Sequence, residues 1–209
     1  LTTAEYSSKG PTIYGNRKPD IMAPGTYILS ASNKRNSREC TAKSSLRQMS
    51  GTSMATPAVS GSLALVYQYL KESIHGLPYD KSKEITSALL RAFAVAGSGD
   101  KANIEQGYGN LNLSRILVYP NLDFGTGMRF FSDKINHNDF ISFFVKTDHI
   151  GSLSASLAWI DVPINLQSLY PLFSYFDFYI IGPDGKVYDV EEQFSTTKKI
   201  VINDAHVGT

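Results

Sequence analysis

The hydrophobic pattern divides the chain into a helical half and a strand-rich half. Between Thr52 and Leu70, apolar and small residues recur at spacings of three and four, which predicts a helix. Its other face, at Ala58, Gly61 and Ala64, is small rather than charged. We therefore expect this helix to be packed closely inside the protein on all sides.

A second helix is predicted from about Lys81 to Ala96, with an apolar stripe that includes Leu89 and Phe93. Ser82 is its predicted N-cap, and the Gly-rich sequence GSGD at 97–100 is expected to end it. The residues before Ser50 are rich in Gly, Pro and Ser, which predicts loops with short strands.

Beyond Pro120 the pattern changes to short or alternating apolar runs that predict antiparallel strands in a sandwich or barrel. A Gly-Pro-Asp-Gly turn at 182–185 separates two of them. We place a domain boundary near Pro120, giving domains of residues 1–119 and 120–209. The predicted strands are Phe140 to Val145, Leu153 to Ile160, Phe176 to Ile181, and Lys199 to Ile202.

Composition limits the classes of partner. The 209 residues are 42% hydrophobic, enough for a sizeable core, and the net charge of +1 offers no electrostatic reason to expect nucleic acid or an anionic membrane. The basic run at 33–47 contains no aromatic residue, so we interpret it as a solvated loop. No apolar run approaches the roughly 18 residues of a membrane span, and the single Cys40 excludes an internal disulfide.

Ser53, in the sequence SGTSMATPAVSG at 50–61, is the candidate nucleophile. Gly51 allows a close backbone approach before the helix, while Thr52 and Ser53 suit a helix start. The Ser53 backbone N–H, with the turn at Gly51 and Thr52, would then face a developing oxyanion at the positive end of the helix dipole. The G-x-S-x-G elbow does not fit, because Ala55 stands where its second glycine is needed.

A nucleophilic serine needs a base, and the sequence offers none in a suitable context. The first 51 residues contain no histidine. We interpret all four histidines, which follow Ser53, as surface or loop residues: His75, His137, His149 and His206.

The run GTSMATPAVSG at 51–61 resembles the catalytic-serine signature of the subtilisin-like serine proteases, and KPDIMAPG at 18–25 resembles the segment those enzymes carry before it. YSSKGP at 6–11 and GYGNLN at 107–112 extend the resemblance from Leu1 to Tyr119. It implies an α/β domain with a parallel sheet, and a serine endopeptidase that cleaves polypeptide substrates through Ser53 without a catalytic cofactor. It also implies an extracellular or other extracytoplasmic location.

The second half is similar to the C-terminal jelly-roll domain of some large alkaline subtilases, on the residues LAWID at 157–161 and FDFYIIGPDGKVY at 176–188. Trp159 and Tyr179 are expected to pack in its core or between strands. Three aspartates, Asp161, Asp177 and Asp184, are candidate calcium ligands by that resemblance, or simply turn residues.

In subtilases the triad follows the chain order Asp, His, Ser. Because only the serine is found here, we expect this sequence to be an internal fragment that is inactive alone, with the triad Asp and His upstream and the jelly roll incomplete. Two alternatives remain: a catalytically dead homologue, and a β domain that serves as a binding or stabilising module.

Overall fold

Two helices and three small antiparallel sheets make up the computed structural model, which describes residues 2–32, 46–72, 84–99, 102–118, 127–147, 150–162, 172–190 and 194–208. Strand pairs are β1 with β2, β3 with β6, and β4 with β5. Cys40, His75, His149 and the predicted boundary at Pro120 lie outside the described residues. The elements are β1 (Ile28–Ala31), β2 (Leu46–Met49), α1 (Thr52–Lys71), α2 (Ser87–Ala96), a 3-10 turn (Leu113–Arg115), β3 (Gly151–Ala158), β4 (Tyr179–Ile181), β5 (Val187–Asp189) and β6 (Thr197–Ala205).

Helix α1 begins at Thr52, as the pattern predicts, but it is not buried on all sides. Only its C-terminal turns are buried, at Val66, Tyr69 and Leu70, whereas the face at Ala58 and Ala64 is exposed. The prediction of all-round burial is therefore wrong for this structure. Small side chains permit close packing on a neighbour, but within the described ranges no element covers that face.

Helix α2 is shorter than predicted. It begins at Ser87, and residues 84–86 are not helical, so the predicted helix is wrong over 84–86. Lys81 and the predicted cap Ser82 lie outside the described residues. Thr86 is in an extended conformation and its hydroxyl accepts a hydrogen bond of 3.1 Å from the Leu89 N–H. A side-chain cap of this kind sets the first residue of a helix. The apolar stripe alone does not locate that residue.

The main core lies where the two helices meet. Leu70 of α1 packs in one cluster with Leu89 and Phe93 of α2 and with Ile116 after the 3-10 turn. Phe130 lies against Phe93 with a ring-centroid distance of 5.9 Å. The buried Tyr69 hydroxyl donates to the Val118 carbonyl and accepts from the Val118 N–H at 2.8 Å, so α1 is tied to the segment that follows the 3-10 turn.

The Tyr69 hydroxyl provides a stability prediction. Tyr69→Phe removes both bonds and leaves the Val118 N–H and carbonyl without this partner, which we expect to lower the free energy of unfolding by about 1–3 kcal/mol. Tyr67→Phe, on the exposed side of the same helix, is the matched control and should change it by less than about 0.5 kcal/mol. Urea denaturation measures both variants, and equal shifts would contradict the role given to Tyr69.

The β half confirms some predicted strands and not others. Strands β3 and β6 match the predicted runs at 153–160 and 199–202, and the 182–185 turn joins β4 to β5 through a 2.8 Å bond from the Gly182 N–H to the Lys186 carbonyl. The predicted strand at 140–145 is wrong, since those residues form no ladder and Phe144 is 89% exposed. An apolar run forms a strand only where a neighbouring strand accepts and donates its backbone hydrogen bonds. None of the described strands pairs with residues 140–145.

Neither the predicted parallel sheet of the first domain nor the predicted jelly-roll sandwich of the second is seen in the described residues. Parallel pairing there is limited to the single bridge between Met22 and Asn110, and the three sheets have two strands each rather than forming a jelly roll. Trp159 is buried against the edge of Phe176 as expected. Tyr179, in the paired strand β4, is 56% exposed and therefore does not lie in a core. No helix within these ranges is both long and apolar enough to span a bilayer.

Candidate active site

Ser53 is the second residue of α1, and its side chain is exposed. The preceding Gly51 has φ 156° and ψ 162°, a backbone conformation that a side chain would strain, and its carbonyl accepts from the Met54 N–H at 3.0 Å. Because the first N–H groups of a helix have no intrahelical acceptor, those of Thr52 and Ser53 are free of the helix ladder. An exposed hydroxyl thus lies at the positive end of the α1 dipole.

The β1–β2 hairpin leads the chain directly into this turn. Ile28 pairs with Met49 at the end of the ladder, and Ser50 follows at once. The Ser50 hydroxyl accepts a hydrogen bond of 2.9 Å from the Tyr27 N–H. Arg47, predicted to lie in a loop, is instead part of β2. The turn before Ser53 is therefore held by backbone pairing on its N-terminal side.

Gly25 fixes the turn from the other side. The Gly51 N–H donates to the Gly25 carbonyl at 2.8 Å, and the Tyr6 hydroxyl donates to the same oxygen at 3.0 Å. A Cβ atom on Gly25 would lie 2.8 Å from the Gly51 carbonyl oxygen and 3.2 Å from the Ala55 Cβ. Only a glycine allows this approach without a shift, so the segments at 6–11, 18–25 and 50–61 meet at one point.

The segment at 107–112 completes the assembly. The Tyr108 N–H donates to the Asp20 carbonyl and the Met22 N–H donates to the Gly109 carbonyl, both at 2.8 Å. Burial raises the pKa of the Tyr108 phenol above its usual 10.0, with Arg17 opposing the shift. The phenol is therefore neutral at physiological pH. All four segments that carry the family resemblance form one connected structure around Ser53.

The described residues give Ser53 no base. Its hydroxyl makes no hydrogen bond to any of them, and the described histidines, His137 and His206, both belong to the β half. The His206 backbone carbonyl accepts a hydrogen bond of 2.6 Å from the Thr147 hydroxyl. The predicted site residues Gly51, Thr52 and Ser53 thus lie together, and the part of the chain that the structure describes supplies no group that would activate the serine.

The candidate calcium ligands do not form a ligand set. Both carboxylate oxygens of Asp161 are used by backbone N–H groups, with bonds of 3.0 Å from Val162, 2.9 Å from Phe173 and 3.1 Å from Ser174. Asp184 accepts from the Lys186 N–H at 3.1 Å within its turn. No group of three or more His, Cys, Asp or Glu in the described part of the chain is arranged to hold a metal. Calcium binding stays a prediction.

Sequence reasoning found the segments that hold the turn but not the individual contacts that Gly25 and Tyr6 make. Gly25 contacts the turn through the Gly51 N–H, about 25 positions along the chain, and Tyr6 contacts Gly25 across about 20 positions, so both contacts are made only by folding. The resemblance marks the whole segment at 18–25, and the Pro24-Gly25 pair signals a chain break. Neither shows that Gly25 is the residue of this segment that contacts the turn.

Comparison with known proteins places these segments in one family. The model of the subtilase family matches residues 2–109, which is more than half of the chain. Serine protease AprX of Bacillus subtilis (strain 168) is 47% identical over 72 residues, covering 32% of this chain and 16% of the relative.

Two other relatives extend the similarity. The PII-type proteinase of Lacticaseibacillus paracasei is 31% identical over 117 residues, covering 56% of this chain and 6% of the relative. The serine protease/ABC transporter B family protein tagA of Dictyostelium discoideum is 25% identical over 224 aligned positions, covering 95% of this chain and 13% of the relative. The chain thus spans less than a fifth of the length of these relatives.

Proposed function

The chain belongs to the subtilase family, and from that membership we propose that it carries the nucleophile of a serine endopeptidase, Ser53. The observation that carries the proposal is the junction before α1, where the Gly51 N–H donates to the Gly25 carbonyl at 2.8 Å. This bond joins the two segments most typical of the family and leaves Ser53 exposed at a helix N-terminus. The names of the relatives, which include serine protease and proteinase, support the same function.

In the proposed reaction the Ser53 Oγ attacks the carbonyl carbon of the scissile peptide bond, and its proton passes to a histidine. The oxyanion that forms is stabilised by the Ser53 backbone N–H and by the positive end of α1. The C–N bond then breaks, the amine leaves with the proton, and water hydrolyses the acyl group from Ser53. Gly51 and Thr52 act by shaping the turn that presents these two groups.

The activating histidine and aspartate are proposed to lie before residue 1 of this sequence, in a longer polypeptide. The family order is Asp, His, Ser, and the 51 residues before Thr52 contain no histidine. Polypeptides are the proposed substrates, and an extracytoplasmic location is proposed from the family. The β half then acts as an attached module rather than as part of the triad.

A comparison of two polypeptides tests the proposal. The natural full-length protein should hydrolyse a chromogenic peptide, whereas the 209-residue chain alone should show no turnover above the buffer rate, since none of its described residues offers Ser53 a base. A full-length protein that binds peptide without cleaving it would identify a catalytically dead homologue. Turnover by the isolated chain would show that its own residues include the base, and would contradict the proposed origin of the triad.

A further inference from the structure

Lys199 lies at the contact between β6 and the C-terminal end of α2, where its ammonium group is surrounded by backbone carbonyls. The residue is only 7% exposed. Its Nζ donates to four carbonyl oxygens at 3.0–3.2 Å, those of Val95, Ala96, Ser98 and Gly99. These are the last carbonyls of α2 and the residues just after it, which have no intrahelical donor.

A buried cation suits this place. The C-terminal end of a helix carries a partial negative charge, and burying an ammonium group is costly unless its hydrogens are all bonded. Four carbonyls supply more acceptors than its three hydrogens need. Arg91 of α2 adds to the same contact, since its guanidinium donates to the Thr196 hydroxyl at 2.6 Å and to the Trp159 carbonyl at 3.3 Å.

The carbonyls bound by Lys199 are connected to the Ser53 turn, residues 50–53, through a series of backbone contacts. A Cβ atom on Gly99 would lie 2.8 Å from the Tyr108 carbonyl oxygen, so the two backbones are in direct contact. Tyr108 and Gly109 are bonded in turn to the backbone at Asp20 and Met22, three to five residues before Gly25. Gly25 accepts the Gly51 N–H, two residues before Ser53.

We propose that Lys199 is a positioning residue. Through its ammonium group the β half holds the end of α2, and through the contact of Gly99 with Tyr108 and the 20–25 segment it sets the position of the Ser53 turn. This rests on the proposed protease function only as far as it concerns catalysis. The coupling between Lys199 and residues 50–55 is a property of the fold and is measured without substrate.

Chemical rescue tests the proposal in the natural full-length protein. Lys199→Ala removes three methylene groups and the ammonium, and propylammonium replaces them. Among residues 50–55, we expect exchange of the hydrogen-bonded amides of Gly51 and Met54 to rise about tenfold in the variant, which corresponds to a small opening equilibrium. We also expect kcat for a peptide to fall by about 100-fold, with KM changed less. Propylammonium should restore both, whereas 1-propanol should restore neither.

Two further variants separate a positioning role from a general loss of stability. Lys199→Met keeps most of the apolar stem and should show the same change in exchange without rescue, whereas Lys134→Ala, at an exposed lysine, should behave as the wild type. If Lys199→Ala does not fold, propylammonium-dependent recovery of its circular dichroism is the measurement. Normal exchange at 50–55 in Lys199→Met, or equal rescue by 1-propanol, would overturn the proposal. If the wild type cleaves no peptide, the protease function fails while the exchange result still decides on Lys199.

Discussion

Ser53→Ala in the natural full-length protein is expected to lower kcat for peptide hydrolysis by about a million-fold, the loss that removal of the triad serine causes in the type member of this family. The hydroxyl oxygen of Ser53 is the atom that forms the acyl bond, and no other group at the turn replaces it. Because the side chain is exposed and makes no hydrogen bond to a described residue, stability should change by less than about 0.5 kcal/mol.

The matched control is Ser60→Ala, two turns along the same helix, where the serine is also exposed. It should keep the wild-type kcat and KM. Peptide hydrolysis and urea denaturation are measured on both variants, so that a loss of activity is separated from a loss of folding. Residual turnover within tenfold of wild type in Ser53→Ala would show that another residue is the nucleophile.

Gly107→Ala is expected to destabilise the protein by about 2–5 kcal/mol, through backbone strain and overpacking together. Gly107 has φ 57°, in the left-handed region. A Cβ atom there would lie 2.2 Å from the Pro19 carbonyl oxygen and 2.3 Å from that of Asp20. Both neighbours are backbone atoms of the segment that leads to Gly25, so relieving the clash moves the support of the Ser53 turn.

The control for this substitution is Gly61→Ala. Gly61 lies inside α1, and among the described residues no atom comes within 4 Å of an added Cβ, so alanine should stabilise the helix by about 0.5–1 kcal/mol. Urea denaturation of the same polypeptide gives both values. If Gly107→Ala unfolds at the wild-type midpoint, the packing of residues 19–20 on the 107–109 turn is not the support that the structure indicates.

Local sequence patterns predicted the features that depend on local physics. The start of α1 follows from Gly51 and the apolar spacing, and the 182–185 turn follows from its glycines, proline and aspartate. The start of α2 was missed because an apolar stripe locates a helix only approximately, and the structure shows that Thr86 caps the helix that begins at Ser87. At 140–145 an apolar run predicted a strand, but a strand also needs a neighbour.

The support of the site depends on distant contacts, which a pattern does not contain. Ser53 and its turn were predicted from a short motif, whereas Lys199 carried no signal in sequence beyond a position in a predicted strand. Its four acceptors lie about 100 residues away along the chain. The prediction that α1 is buried was wrong for a related reason. Small residues indicate that a neighbour can pack closely on a helix, but they do not identify that neighbour.

Covalent labelling with a fluorophosphonate tests the role of Ser53 most directly, because this reagent reacts with a serine that a base has activated. After labelling of the natural full-length protein and proteolytic digestion, mass spectrometry should locate the phosphonyl group on Ser53, and Ser53→Ala should take up no label. Label on a different residue, or undiminished labelling of Ser53→Ala, would contradict the assignment of Ser53 as the nucleophile.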